Sequence, residues 1–138
     1  ENISLYQVFK IASNYDRVCY EWVNNYPISI NVAYPYLMAQ ITSAKSLDVA
    51  IIHTFLKVLA EYPDTFIARK TGIEKAQQVS SKAEKILALG GFETPIGRRK
   101  LREFDFELRK SGNLLNPGTT ADIIAAALAL SLLSGYRL

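Results

Sequence analysis

The sequence has few of the residues that staple or ligate: one cysteine (Cys19), one histidine (His53), one tryptophan and one methionine in 138 residues. A single cysteine excludes an internal disulfide and fits a reducing, cytoplasmic setting. One histidine and one cysteine leave a structural zinc site without its usual ligands. No P-loop, dinucleotide glycine fingerprint, serine-nucleophile elbow or paired-cysteine motif occurs. Long apolar runs are also missing. The stretch from Ile123 to Leu133 is about half of the ~20 residues a bilayer span needs, and no signal peptide is visible. Charge of one sign is scarce too, with 16 Lys and Arg against 13 Asp and Glu for a net +3. The densest basic run is Arg98-Arg99-Lys100, with Arg102 after it. A nucleic-acid surface would be denser, whereas a polyphosphate ligand needs fewer cations. The first residue is Glu1 rather than Met, so the chain is expected to begin inside a longer product or to be processed.

What is present is a globular composition, 49% hydrophobic and 21% charged, of a length that suits one domain with its own core. Apolar steps of three and four from Leu5 through Val8, Phe9, Ala12, Tyr15 and Cys19 to Trp22 predict one amphipathic helix, with Ser4 as its cap and Cys19 as a buried structural thiol. Pro27 stops it. Ile28 to Val32 alternates but has no partner strand nearby and is read as a loop. A short helix is expected over Tyr34–Ala44. Ser46 should cap a broadly buried helix to about Glu61, ended by Pro63. Asp64-Thr65 starts a short helical turn through Arg69-Lys70, closed by Gly72. Two further helices are expected, at about Glu74–Leu89 and from Thr94-Pro95 to Ser111-Gly112. The last helix follows Pro117-Gly118-Thr119-Thr120. It is rich in alanine and leucine almost all round, as suits the middle of a bundle. No alternating strand and helix order appears. The expected fold is all-α, a multi-helix bundle with a buried C-terminal helix, in a single domain or half-domain over residues 1–138.

Three segments combine polar residues with helix ends. In the first, Asn116-Pro117-Gly118-Thr119-Thr120-Ala121-Asp122, Gly118 lets backbone approach a ligand and Thr119 or Thr120 caps the last helix. The free N–H groups there can receive phosphate, and Asp122 could hold Mg²⁺ on a nucleotide. Plain capping explains the same residues. In the second, His53 is either a hydrogen-bonded core residue or a general acid/base. Asp64 is either an N-cap or a carboxylate directed at magnesium or ribose. Arg69 and Lys70 are either a solvated helix end or phosphate clamps. In the third, Gly90-Gly91 is a helix C-cap or a phosphate cradle, the basic cluster reads as a solvated face, and Asp105 wants Arg102 or Arg109 as a partner.

Together these segments resemble the triphosphoribosyl-dephospho-CoA synthase family. The block Leu115-Asn116-Pro117-Gly118-Thr119-Thr120-Ala121-Asp122-Ile123-Ile124-Ala125-Ala126 is similar to the family's Pro-Gly-(Gly/Thr)-(Ser/Thr)-Ala-Asp element and its apolar helix. His53-Thr54-Phe55 through Pro63-Asp64-Thr65-Phe66-Ile67-Ala68-Arg69-Lys70-Thr71-Gly72 looks like a second signature, and the wording is closer to archaeal members. The likeness covers residues 1–138 and the family's C-terminal half only. It implies transfer of the 5-triphosphoribosyl group of ATP to the ribose 2′-hydroxyl of dephospho-CoA, with release of adenine. It also implies Asp64 and Asp122 as Mg²⁺ ligands or base, and His53 as a helper to leaving adenine or to an aspartate. Arg69, Lys70, Asn116, Gly118, Thr119 and Thr120 become the phosphate-binding set. The expected partners are ATP, dephospho-CoA and the N-terminal half, without nucleic acid or membrane. An apolar patch left by that half would also favour a homodimer. The competing reading is a nucleotide- or CoA-binding helical module without catalysis.

Overall fold

The computed structural model describes residues 2–43 and 45–137. Eight α-helices follow in order, and no strand occurs among the described residues: α1 (Leu5–Ala12), α2 (Arg17–Val23), α3 (Tyr34–Thr42), α4 (Leu47–Glu61), α5 (Thr65–Thr71), α6 (Ile73–Ala88), α7 (Pro95–Lys110) and α8 (Gly118–Leu133). The all-α expectation holds. No helix among the described residues is long and apolar enough to cross a membrane. The C-terminal end expected for α3, Ala44, lies outside the described residues.

The periodic stretch expected to form one helix over Leu5–Trp22 is two. α1 opens on a capping box of Ser4 and Gln7. The chain then breaks, because Asp16 accepts from the amides of Val18 (2.9 Å) and Cys19 (3.2 Å) and starts α2 afresh. Periodicity survives a four-residue break, so the pattern could not reveal it. Leu5, Tyr6, Val8 and Ile11 are all exposed, and α1 buries no residue. Phe9 meets Trp22 edge-on at 4.9 Å, the main hold on α1. Cys19 is half-buried rather than buried. Burial and the Asp16 carboxylate push its thiol up, opposed by Arg69, so it stays protonated at neutral pH and is no nucleophile.

The segment read as a loop is also helical. Glu21 is buried, and its carboxylate accepts from the amides of Ile28 (3.1 Å) and Ser29 (2.8 Å) and from the Ser29 hydroxyl (3.0 Å). Between them the chain turns through left-handed Asn25 (φ 63°) and Tyr26 (φ 56°). Glu21 thus caps a wide helical turn, Ser29–Ala33, that runs straight into α3. A cap supplied from seven residues upstream leaves no local signature.

Two apolar clusters fill the bundle. One joins Leu56 and Leu59 of α4 to Ile67 of α5, Val79 of α6 and Phe104 of α7. The other joins Val58 of α4 to Ile28, Ala33, Leu37 of α3 and Ile123 and Ile124 of α8. α4 serves both clusters, which explains its broad apolar arc. α8 is buried along Thr119, Thr120, Ile123, Ile124, Ala127 and Ser131. Its opposite face, with Ala121, Asp122, Ala125, Ala129 and Leu133, is exposed. The alanine- and leucine-rich helix is therefore covered on one side only within this chain.

The short 3₁₀ turn Gly91–Glu93 and the start of α7 pack very closely. Thr94 caps α7 by accepting from Gly97 N at 3.0 Å. A Cβ on Gly97 would sit 2.0 Å from the Gly91 carbonyl oxygen.

Candidate functional site

Pro63 ends α4 and leaves Asp64 in extended backbone (φ −67°, ψ 123°), the conformation of an N-cap. One oxygen, Oδ1, accepts from Phe66 N (2.9 Å) and Ile67 N (3.1 Å), the first amides of α5. The other, Oδ2, accepts from Thr120 N (2.7 Å) and Thr120 Oγ1 (2.8 Å) in the first turn of α8. Asp64 is 1% exposed. A single carboxylate therefore caps two helices whose starts are far apart in sequence. The residue preceding α8 is Pro117, whose side chain makes no capping bond. The expectation that Thr119 or Thr120 caps α8 is corrected: both lie inside its first turn, and the cap comes from Asp64.

The two helix starts are also joined by Thr65 Oγ1 and Thr119 Oγ1, 3.1 Å apart. Arg17 N donates to Thr65 Oγ1 (3.1 Å), so the beginning of α2 meets the same point. Sequence reasoning missed Arg17, and the reach of Thr65 to α2 and α8, because these partners lie tens of residues away.

Lys70 sits over the Phe66 ring, 4.0 Å from its centroid, and donates to the Asn113 carbonyl at 3.2 Å. The same ring faces Gly118, where an added Cβ would touch it at 3.4 Å, an ordinary contact. Asn116 donates through Nδ2 to Asn113 Oδ1 at 2.9 Å. The structure therefore brings Lys70, Asn116 and Gly118 together at the approach to α8. Arg69 turns elsewhere and pairs with Asp16 at 3.4 Å.

Asp122 is exposed and lies two residues beyond Thr120, about 200° around the helix. It borders a small cavity of about 70 Å³ with Glu21, Trp22 and Tyr26. Asp64 and Asp122 thus face different sides of α8 and do not form a pair.

His53 lies two turns before the end of α4, about 12 Å along its axis from Glu61. It is buried, and its Nε2 accepts from Phe92 N at 3.0 Å. A Cβ on Gly91 would come within 2.6 Å of that nitrogen. An accepting Nε2 requires the neutral ring. Burial first, then Lys45, hold the imidazole below its usual range, opposed by Glu93. The geometry makes His53 a clasp between α4 and the 3₁₀ turn.

A pH prediction follows from that clasp. A base with a depressed folded-state pKa gives stability that is fully present above its unfolded value, about 6.5. That stability is lost as pH falls below this value and through the lower folded one. The urea midpoint should therefore fall between about pH 7 and about pH 5 more steeply in the parent than in His53→Gln, which keeps an acceptor for Phe92 N–H. Equal slopes in the two proteins would exclude His53 as the titrating group.

A family model described as ATP:dephospho-CoA triphosphoribosyl transferase matches residues 1–138. Among solved structures, a chain from Archaeoglobus fulgidus described as a triphosphoribosyl-dephospho-CoA synthase is similar, with 29% identity and a TM-score of 0.76. The match covers 99% of this chain and 55% of that one, so the chain spans little more than half the length of that relative.

Proposed function

The chain belongs to the ATP:dephospho-CoA triphosphoribosyl transferase family, and from that membership we propose that it takes part in moving the 5-triphosphoribosyl group of ATP to the 2′-hydroxyl of dephospho-CoA, with release of adenine. The observation that carries this reading is the family match along the whole chain. The joining of its two polar segments by Asp64 supports it. Attack at the anomeric carbon passes through an oxocarbenium-like state. It calls for a clamp on the triphosphate, a base for the incoming hydroxyl, and water kept away.

The residues divide by their surroundings. Lys70, Asn116, Gly118 and Thr119, at the approach to α8, are the phosphate-facing set in this reading, with Arg69 beside Lys70 in the last turn of α5 and paired with Asp16. Asp64 is a positioning residue: four hydrogen bonds occupy both of its oxygens. Those bonds also hold Thr120 in place. Asp122, exposed on the other side of α8, is the carboxylate free to act as base or toward the nucleotide's cation. His53 stays outside the reacting set.

Mg²⁺ does not fit a resident site. Among the described residues no three of His, Cys, Asp or Glu come together, and Asp64 has no lone pair to spare. The cation would arrive on ATP. The alternating exposed residues of α8 and the apolar side of α1 are the surfaces the remaining part of the family protein would cover, and a second copy could cover them instead.

Adenine release from ATP, with and without dephospho-CoA, tests the reading. Acceptor-dependent release is expected, falling at least about 100-fold in Asp122→Asn. Acceptor-independent binding without any release would favour a non-catalytic binding module, and full activity in Asp122→Asn would remove that residue from the mechanism.

A further inference from the structure

α7 packs against α6 and the 3₁₀ turn and stands off from α4. The gap is a groove of about 350 Å³ whose walls are apolar: Ile51, Ile52 and Phe55 from α4 face Leu101, Phe104 and Leu108 from α7. A second cavity of about 400 Å³ shares Phe55, Asp105 and Leu108 with it and runs on to Arg109, Asn113 and Asn116, beside the approach to α8. The two are one channel, apolar at one end and polar at the other. The polar end lies next to Lys70, which holds the Asn113 carbonyl. Asp105 sits where the halves join, and Arg109 Nε neutralises it by donating to both of its oxygens, at 2.9 and 3.1 Å. Among the described residues the two Nη groups of Arg109 donate to nothing, so the open side of the guanidinium fork is available to an anion.

We propose that this channel holds the acceptor, with the pantetheine arm of dephospho-CoA along the apolar half and its diphosphate at Arg109, Asn113 and Asn116. The inference rests on the transfer reading above. It adds where the acceptor lies and which end points toward the reaction. The diphosphate next to Asn116 delivers the adjoining ribose to the approach of α8, where the donor's phosphates gather. The arm trails away between α4 and α7. The other sizeable cavity, about 390 Å³ between α6 and α7, is lined by no residue of the approach to α8. Of its three lysines, Lys82 and Lys100 are already paired with Glu107 and Glu103, which leaves Lys85. The remaining cavities, about 90 and 70 Å³, are too small for such an arm.

Methyl NMR titration of this chain reads the placement directly. Pantetheine should shift the methyls of Ile51, Ile52, Leu101 and Leu108, and dephospho-CoA should shift the same set with a Kd about tenfold lower. Arg109→Gln should remove most of that gain while leaving pantetheine binding as it was. Failure of pantetheine to move these methyls at millimolar concentration overturns the proposal, as does ATP moving them equally or Arg109→Gln weakening both ligands alike. In the full-length gene product, Arg109→Gln should raise the KM for dephospho-CoA about tenfold and leave that for ATP unchanged. An unchanged acceptor KM in an enzyme that still releases adenine overturns the channel and leaves the transfer reading standing. Loss of adenine release by the parent protein itself strikes the reading instead.

Discussion

Replacing Asp64 by alanine is expected to cost about 3–5 kcal/mol of folding stability, a large part of what a domain of this size has. The substitution leaves four donors without a partner: the amides of Phe66, Ile67 and Thr120, and the Thr120 hydroxyl. All lie at helix starts, where no i−4 carbonyl can take their place. Thr120 is almost fully buried, so water cannot replace the acceptor there. Asp64→Asn is milder, at about 2–3 kcal/mol, because one carbonyl oxygen remains while an amide NH₂ is set against the donors of Thr120. Thr120→Val removes only the hydroxyl bond and should cost about 1 kcal/mol. Urea unfolding followed by circular dichroism orders the three variants. Activity lost in Asp64→Asn with an unmoved urea midpoint would reverse the assignment and make the carboxylate a reacting group.

Gly97→Ala is the second large effect. The new methyl would lie 2.0 Å from the Gly91 carbonyl oxygen and 2.8 Å from Thr94 Oγ1. Neither can retreat freely: the Gly91 backbone belongs to the turn that His53 clasps, and Thr94 Oγ1 is the cap of α7. Overpacking against backbone should cost about 3 kcal/mol. Gly118→Ala offers the contrast. Its methyl meets only the Phe66 ring at ordinary contact distance, so stability should change by no more than about 0.5 kcal/mol. Similar urea midpoints for the two variants would contradict this account of the close approach between Gly91 and α7. A loss of nucleotide binding in Gly118→Ala at unchanged stability would give that glycine the ligand-facing role its place in the motif implies.

These contrasts mark where the sequence could be read and where it could not. α4 to α8 were legible, because Ser46, Asp64, Thr94, Pro63 and Gly72 are local signals whose partners lie within a few residues. The division of the first helix at Asp16 and the helical turn at Ser29 were not. At Asp16 a carboxylate cap interrupts the helix without disturbing the three- and four-residue apolar rhythm, and at Ser29 the cap comes from Glu21 across a segment whose own pattern alternates. The candidate site shows the same limit. The motif around Pro117 was visible as a string of residues. That its helix is capped by Asp64, and that Asp122 turns to the opposite side, depends on contacts across the fold. Arg69 and Lys70 are neighbours in sequence, yet one pairs with Asp16 and the other reaches Asn113. Of the two readings open for His53, a hydrogen-bonded core residue or a general acid/base, its contact with Phe92 N–H fits the first.

α1 has a consequence of a different kind. An isolated helix of eight residues is marginal in water, and this one buries no side chain. Its capping box and the Phe9–Trp22 contact are what hold it, while α4 is locked between two cores. The bundle thus carries a gradient of local opening, from an N-terminal helix that unfolds almost freely to a centre that opens only with the whole chain. Amide exchange in α1 is therefore set by whatever lies against its apolar side, which makes that helix a built-in gauge of what packs onto this end of the bundle.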